Sequence, residues 1–457
     1  MHILQCFLFS ITLWSAHTTA FYVWKSEEAR DLPGSGGGDV EKREPFYIAG
    51  TATTDPGDGE LNAPTLQIKR RVPQGSSPHA RVERELKHIL AKYRPHRLLV
   101  EHTSPNPAPA PSKVKRDNKY HVETATPPSQ SSSVAVNQDG TDFSYFATVD
   151  FGSSNKAMYM LIDTGAANTW VMSGDCTSKA CSAHNTFGEA DSKTLTKDNT
   201  PWHVSYGTGT VKGTIYNDSM SLAGFTVPMS FGAASDTSDD FLDYPMDGIL
   251  GLGRAGSNEL EIPAFMDVLA DQKKLTANLF GVNLQRHSDG ETDGELNFGS
   301  YDKSKFKGDI SWIPSSSKVG LWEIPVDDAG VDGNPLGFKG KSAIIDTGTS
   351  FILLPGPDAQ KLHAKIPNAA LKGNTYQLPC SSMVDLQFTF GGVDYTVPAK
   401  DYVGSKTGSG DTCLSNIIPQ AYSGANDWLL GDTFLKNVYT VFDFDQDRIG
   451  KTPFTPL

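Results

Sequence analysis

Two aspartates in one repeated context are the residues best placed to do chemistry: Asp163-Thr164-Gly165 and Asp346-Thr347-Gly348, 183 positions apart. Each follows an apolar run, Met160-Leu161-Ile162 or Ala343-Ile344-Ile345, so each should sit on a tight turn leaving a buried strand. Glycine permits a turn that a side chain would block. A second apolar-apolar-Gly element trails each copy, Ile249-Leu250-Gly251 ending 88 residues after Asp163 and Leu429-Leu430-Gly431 ending 85 after Asp346. Repetition of this kind marks a duplicated unit. Two related lobes facing across a pseudo-twofold axis would bring both acids to that axis, as an isologous contact does in a dimer. Two like charges a few ångströms apart cannot both ionise, so such a pair supplies one acid and one base.

The elements that hold these turns should be strands. With 43 Gly, 28 Pro and only 20% charged residues, the chain suits many short strands and turns better than helices, an all-β reading. After processing, about 320–340 of its residues would remain, enough for two lobes with their own cores. Tyr145, Ala147, Val149 and Phe151 alternate at period two across residues 143–151, where the first lobe should begin.

Residues 1–14 are apolar, and Thr18-Thr19-Ala20 offers small residues for cleavage, so residues 1–20 read as a signal peptide, although no Lys or Arg precedes the apolar run. No later stretch is long and apolar enough to span a bilayer, and residues 451–457 have neither a lipid-anchor tail nor a retention signal. A soluble secreted or vacuolar/lysosomal product without a membrane partner is expected. Of five cysteines, Cys6 belongs to the leader, leaving Cys176, Cys181, Cys380 and Cys413. Three pairings are open; Cys176 with Cys181 and Cys380 with Cys413 keeps each loop within one lobe. No Cys-x-x-Cys or neighbouring His pair points to a metal, and no Gly-rich phosphate loop points to a nucleotide or nucleic acid. Asn217-Asp218-Ser219 is a glycosylation sequon.

Residues 21–62 are polar and Gly-rich without apolar periodicity. Residues 66–116 then carry 12 Lys and Arg against 3 Glu, whereas residues 117–457 carry 24 against 41 Asp and Glu. A basic prosegment on an acidic partner fits that division. Val82, Leu86, Ile89, Leu90 and Tyr93 fall on one face of a helix that should dock onto a partner surface. A stiff proline-rich linker, 105–111, follows. Lys115-Arg116 is a dibasic processing site in competition with Lys42-Arg43 and Arg70-Arg71. The propeptide is therefore taken as 21–116, or as reaching about 136.

Across residues 137–457 the motifs resemble those of the pepsin-like aspartic proteases. Besides the two Asp turns they include Tyr206-Gly207-Thr208-Gly209 at the family's flap, Asp247-Gly248-Ile249-Leu250-Gly251-Leu252-Gly253, Trp428-Leu429-Leu430-Gly431-Asp432, and a tail with Tyr439 to Asp443 and Ile449-Gly450. The resemblance implies a bilobal all-β fold with the active site in the cleft between an N-terminal lobe, 137–303, and a C-terminal lobe, 304–457. Residues 305–314 should open the second lobe as a strand. It implies a secreted zymogen, an endopeptidase using a water activated by Asp163 and Asp346, without cofactor or metal. Thr164 and Thr347 would bond across to the opposite loop, Trp170 would meet the flap Tyr206 hydroxyl, and Gly348, Thr349 and Ser350 would hold substrate backbone. Ile249 and Phe241 are candidates for an apolar pocket. Lys92 resembles the prosegment lysine that pairs with the two acids in family zymogens, and the cysteine pairing given above is the family's. Expected partners are protein and peptide substrates, the chain's own propeptide and pepstatin-type inhibitors, and the enzyme should be a monomer. Ala166 departs from pepsin, which carries Ser there, while the second copy carries Thr349. Thr208 stands where some fungal members place a flap Asp that attracts Lys. A catalytically inactive peptide- or protein-binding member of the fold is the alternative, disfavoured by two intact acids.

Overall fold

The computed structural model describes residues 78–92, 118–120, 122–206, 209–254, 257–258, 260–408 and 410–453. The leader, the Gly-rich segment, the 105–111 linker, the three dibasic pairs, Tyr93 and flap residues Gly207 and Thr208 lie outside the described residues, as do the side chains of Ile89, Leu90, Lys92 and Tyr206.

One strand arrangement occurs twice. Lys156–Asp163 runs parallel to Gly248–Gly251, with Asp163 opposite Gly251, and Trp170–Met172 lies antiparallel on the other side of Gly248–Gly251. Likewise Lys341–Ile345 runs parallel to Asp427–Leu430, flanked by antiparallel Ile352–Leu354. Thus the strand entering each Asp turn and the strand leaving it clasp the apolar-apolar-Gly strand of their own half. Clasped strands are covered on both faces, which is why they read as continuous apolar runs. Their closing glycines are required by space: a Cβ on Gly251 would stand 2.3 Å from the Ala167 carbonyl carbon, and one on Gly431 2.0 Å from the Thr349 oxygen.

Around these motifs the described chain is built mainly of strands, the largest sheet having 13. Within it Leu279–Asn283 pairs with Val438–Asp443 and Ser311–Pro314 with Arg448–Pro453, so the chain's last strands join its two halves. Trp322 strengthens the junction by donating its indole N–H to Leu252 O at 3.1 Å. Only the end of 305–314 is a strand, because Gly308 turns the chain at φ 84°. Ordered structure precedes residue 137: Ser133–Gln138 pairs with both Glu295–Phe298 and Tyr145–Phe151. Disulfides join Cys176 to Cys181 and Cys380 to Cys413. Among the described residues no helix is long and apolar enough to cross a membrane.

The longest described helix, Pro78–Lys92, packs Val82 and Leu86 against a cluster containing Ile344, Phe351, Leu353 and Leu429. Its Arg81 guanidinium lies 4.1 Å from the centre of the Phe143 ring. That face therefore covers the second Asp motif.

Candidate active site

Both aspartates are fully buried, and the threonine after each reaches into the other turn. Thr164 N–H donates to Thr347 Oγ1 at 3.1 Å and Thr347 N–H to Thr164 Oγ1 at 3.0 Å. Each hydroxyl also donates across, Thr164 to Ile345 O at 2.9 Å and Thr347 to Ile162 O at 2.8 Å. The four bonds form a symmetric lock between the halves, each bond contributing about 0.5–1.5 kcal/mol net and leaving a costlier unsatisfied group if one partner is lost. Within each turn the glycine N–H donates to its own aspartate, Gly165 to Asp163 Oδ1 and Gly348 to Asp346 Oδ1, both at 2.9 Å.

Symmetry ends one residue later. Thr349 Oγ1 donates to Asp346 Oδ2 at 2.5 Å, whereas Ala166 has no hydroxyl to offer Asp163. A third carboxyl lies behind the second turn: Asp432 is buried and its N–H donates to Thr349 O at 2.7 Å. Burial first and the Asp346 charge second push the Asp432 carboxyl well up, so in acid it adds no negative charge to the pair.

The remaining predicted residues fall in two places. Trp170 and Ile249 are fully buried and Phe241 nearly so, in one cluster with Leu161, Trp202 and Met246; Phe241 meets the Trp170 ring edge-on at 5.5 Å. Tyr206 and Gly209 are paired ends of the hairpin formed by Thr196–Tyr206 and Gly209–Leu222. Ser350 follows the second turn, its hydroxyl donating to Phe143 O at 2.5 Å. Asn217 is a partly buried strand residue that accepts from the Ser230 hydroxyl.

Lys92 ends the Pro78–Lys92 helix, but the described side chain that this helix sends to the second turn is an acid, which the sequence reading overlooked. Glu85 Oε1 accepts from Ser350 N–H at 3.3 Å and lies 3.2 Å from Ser350 Oγ, while Oε2 meets the Tyr244 hydroxyl at 3.1 Å. Its place between Val82 and Leu86 on the apolar face was the available signal, since a charged residue there must be buried or paired.

The paired turns find their counterpart in a family model for eukaryotic aspartyl protease, which matches residues 144–454. The chain is a pepsin-like aspartic protease. Fungal proteins are similar to it: the probable aspartic-type endopeptidase CTSD of Arthroderma benhamiae is 50% identical over 340 residues, covering 74% of this chain and 67% of that protein, and the aspartic-type endopeptidase ctsD of Aspergillus fumigatus is 49% identical over 339 residues, 74% and 71% of the two chains. Rabbit (Oryctolagus cuniculus) cathepsin E is 34% identical over 355 residues, 75% of this chain and 88% of its own. The protease is thus an aspartic-type endopeptidase with peptide or protein substrates, and the inactive alternative finds no support.

Proposed function

We propose that the protease is made as a zymogen, exported to the cell exterior or to a vacuole, and held latent by the Pro78–Lys92 helix until acid frees its cleft. The supporting observation is Glu85, buried between Ser350 and Tyr244 where substrate would lie. Arg81 and Arg84 flank it, pairing with Asp139 at 2.9 Å and Asp243 at 3.0 Å. In the open cleft one ionised aspartate of the Asp163–Asp346 pair takes a proton from a water while the protonated one polarises the scissile carbonyl, so no covalent intermediate forms.

The contacts respond to acid in opposite directions. Burial, outweighing the hydrogen bonds from Ser350 and Tyr244, raises the Glu85 carboxyl above its ordinary value. The docked helix therefore binds a proton that a free one would release, and this contact gains strength as the pH falls through the docked pKa and is weakest near neutrality. Asp243 is also raised, chiefly by burial despite Arg84, but its protonation in acid removes the charge that holds Arg84 and weakens that contact. Release in acid must come from the wider attraction between the basic 66–116 block and the acidic remainder, which fades as carboxylates protonate. The precursor 21–457 is expected to gain activity on acidification. Glu85→Gln should make it more latent near neutrality, by up to about tenfold per pH unit of the shift, with no change where Glu85 is already protonated. Activity assays of both precursors across pH test this; a precursor fully active at neutral pH before any cleavage overturns the zymogen reading.

The cluster around Trp170, Ile249 and Phe241 supports a preference for hydrophobic or aromatic residues beside the scissile bond. Thr208 brings no charge to the flap, so Lys should be little used there. Peptide-library profiling decides, a dominant Lys signal counting against the assignment.

A further inference from the structure

The helix Gly356–His363 ends on a buried histidine, and the bonds around its ring decide which form it takes. Nδ1 lies 2.7 Å from Ala359 O. A carbonyl can only accept, so Nδ1 carries the hydrogen. Nε2 lies 2.9 Å from the Ser415 hydroxyl, whose oxygen already accepts from Ile417 N–H at 3.1 Å. In the neutral imidazole Nε2 is bare and takes the Ser415 proton, so every group is matched. In the imidazolium Nε2–H and Ile417 N–H would both aim at one buried oxygen, and the displaced Ser415 proton has no second acceptor among its bonds in the described residues. An enclosed hydroxyl left in that state is costly, so the site holds the ring uncharged.

The charged groups around this helix are engaged elsewhere. Asp358, on the same helix, pairs with Lys341 at 2.7 Å and accepts from the Trp428 indole at 2.8 Å, while Lys361 lies 4.4 Å from the centre of the Phe338 ring. Asp328, on the strand Asp328–Val331, accepts from the N–H groups of Ala329, Gly337 and Phe338. The strands Cys413–Ser415 and Ile417–Pro419 carry no charged group. Tyr376, on the strand Thr375–Leu378, stacks on the imidazole with ring centres 3.8 Å apart, and its face would attract a cation. Burial prevails: opposed by the bond to Ala359, it draws the His363 imidazole down to about 4.

Ser415 leads into the segment that braces the second Asp turn. Ile417–Pro419 runs parallel to Ile352–Leu354, the strand leaving that turn, and Ile352 N–H donates to Asn416 O at 3.1 Å. Ile352–Leu354 also flanks Asp427–Leu430 and follows Thr349, whose hydroxyl holds Asp346. His363 thus reaches the catalytic acid through Ser415 and one strand rather than by contact.

We propose that His363 is an acid-sensitive latch on the half of the protease that carries Asp346: neutral, it braces the strand leaving the catalytic turn through Ser415, and protonated, it lets that strand go. An unfolded histidine titrates near 6.5, so between there and about 4 the unfolded chain binds a proton that the folded chain refuses. The latch therefore contributes fully above about 6.5, loses its contribution as the pH falls through the interval, and changes nothing further below about 4. Across the interval the ratio of folded to unfolded protein should fall on the order of 10²-fold through this group, at about tenfold per pH unit. The loss is one of survival, separate from the titration of the Asp163–Asp346 pair, which acts on the rate of intact enzyme.

The test uses the chain 21–457 carrying Asp163→Asn, so that self-digestion cannot contribute, with and without His363→Leu. Thermal midpoints are followed from about pH 7 to about pH 3.5, bracketing the interval in which the group titrates. His363→Leu cannot take the proton; it should be the less stable protein near neutrality, for want of the Ser415 bond, and should lose on the order of 10²-fold less of its folded-to-unfolded ratio on acidification, so that the two curves converge. Curves that stay parallel overturn the proposal. Should His363→Leu fail to fold, amide hydrogen exchange on the parent still decides. Protection of residues 350–354 and 413–419 should fall between about pH 6.5 and 4 relative to residues 156–163 in the other half, and a change shared equally by the two halves overturns the latch.

Discussion

Asp346→Asn and Asp163→Asn should each lower kcat by at least about 10²–10⁴-fold, the range over which a positioned acid or base contributes, and the two together should cost little more than either alone. Groups that act as a unit lose their effect at the first removal. The fold should survive. Gly165 and Gly348 donate to one oxygen of each side chain, which Asn retains, and the lock between the turns is made by Thr164 and Thr347 rather than by the acids. Thr349 is the exception, for its hydroxyl now donates to Asp346 Oδ2 and would have to turn to accept from an Asn amide. Turnover of a denatured protein in acid, with the thermal midpoint measured beside it, provides the check. Activity within tenfold of the parent in either variant would remove the pair from the mechanism, and a large fall in the thermal midpoint would assign the loss to folding.

The duplicated turn was legible in the sequence because its parts are local: apolar strand, Asp, Thr, Gly. The trailing Ile-Leu-Gly and Leu-Leu-Gly elements were legible as repeats, although their threading between two strands, and the steric reason for Gly251 and Gly431, exist only in three dimensions. The Pro78–Lys92 helix followed from its apolar spacing. Its face reads differently in detail, because a helix facing two acids is expected to present a cation, while Glu85 is held by hydrogen bonds to groups far along the chain. The anchoring of Asn118 and Tyr120 is hidden for a related reason. Residues 117–136 are polar and Ser-rich, and nothing local distinguishes Asn118 and Tyr120 from a linker; their partners Asp247 and Leu242 lie more than a hundred residues away. Long-range polar pairing leaves no period to read, unlike burial on a helix or strand face.

The departure at Ala166 should set where on the acid scale this protease works. In the second turn a hydroxyl held against the carboxylate favours its ionised form, and such a bond to a charged acceptor is worth about 1.5–3 kcal/mol. At 1.36 kcal/mol per pKa unit, its absence beside Asp163 corresponds to at most ~1–2 units upward for that carboxyl. The two acids titrate as a pair, so the shift appears in the apparent acid-side pKa of kcat/KM and is diluted by sharing. Ala166→Ser should therefore carry the acid limb to lower pH, and Thr349→Ala should carry it to higher pH, each by no more than that amount. Space favours the first change, since Ala166 is only partly buried. The second removes a bond whose donor and acceptor are both enclosed, and should be the larger. The parent enzyme, with one hydroxyl instead of two, is expected to have a moderately acidic optimum. Profiles of kcat/KM against pH for the three proteins test the assignment. A limb that moves with Thr349→Ala and not with Ala166→Ser means that Asp163 already has a donor of another kind; a limb unmoved in both means that neither hydroxyl position governs the pair.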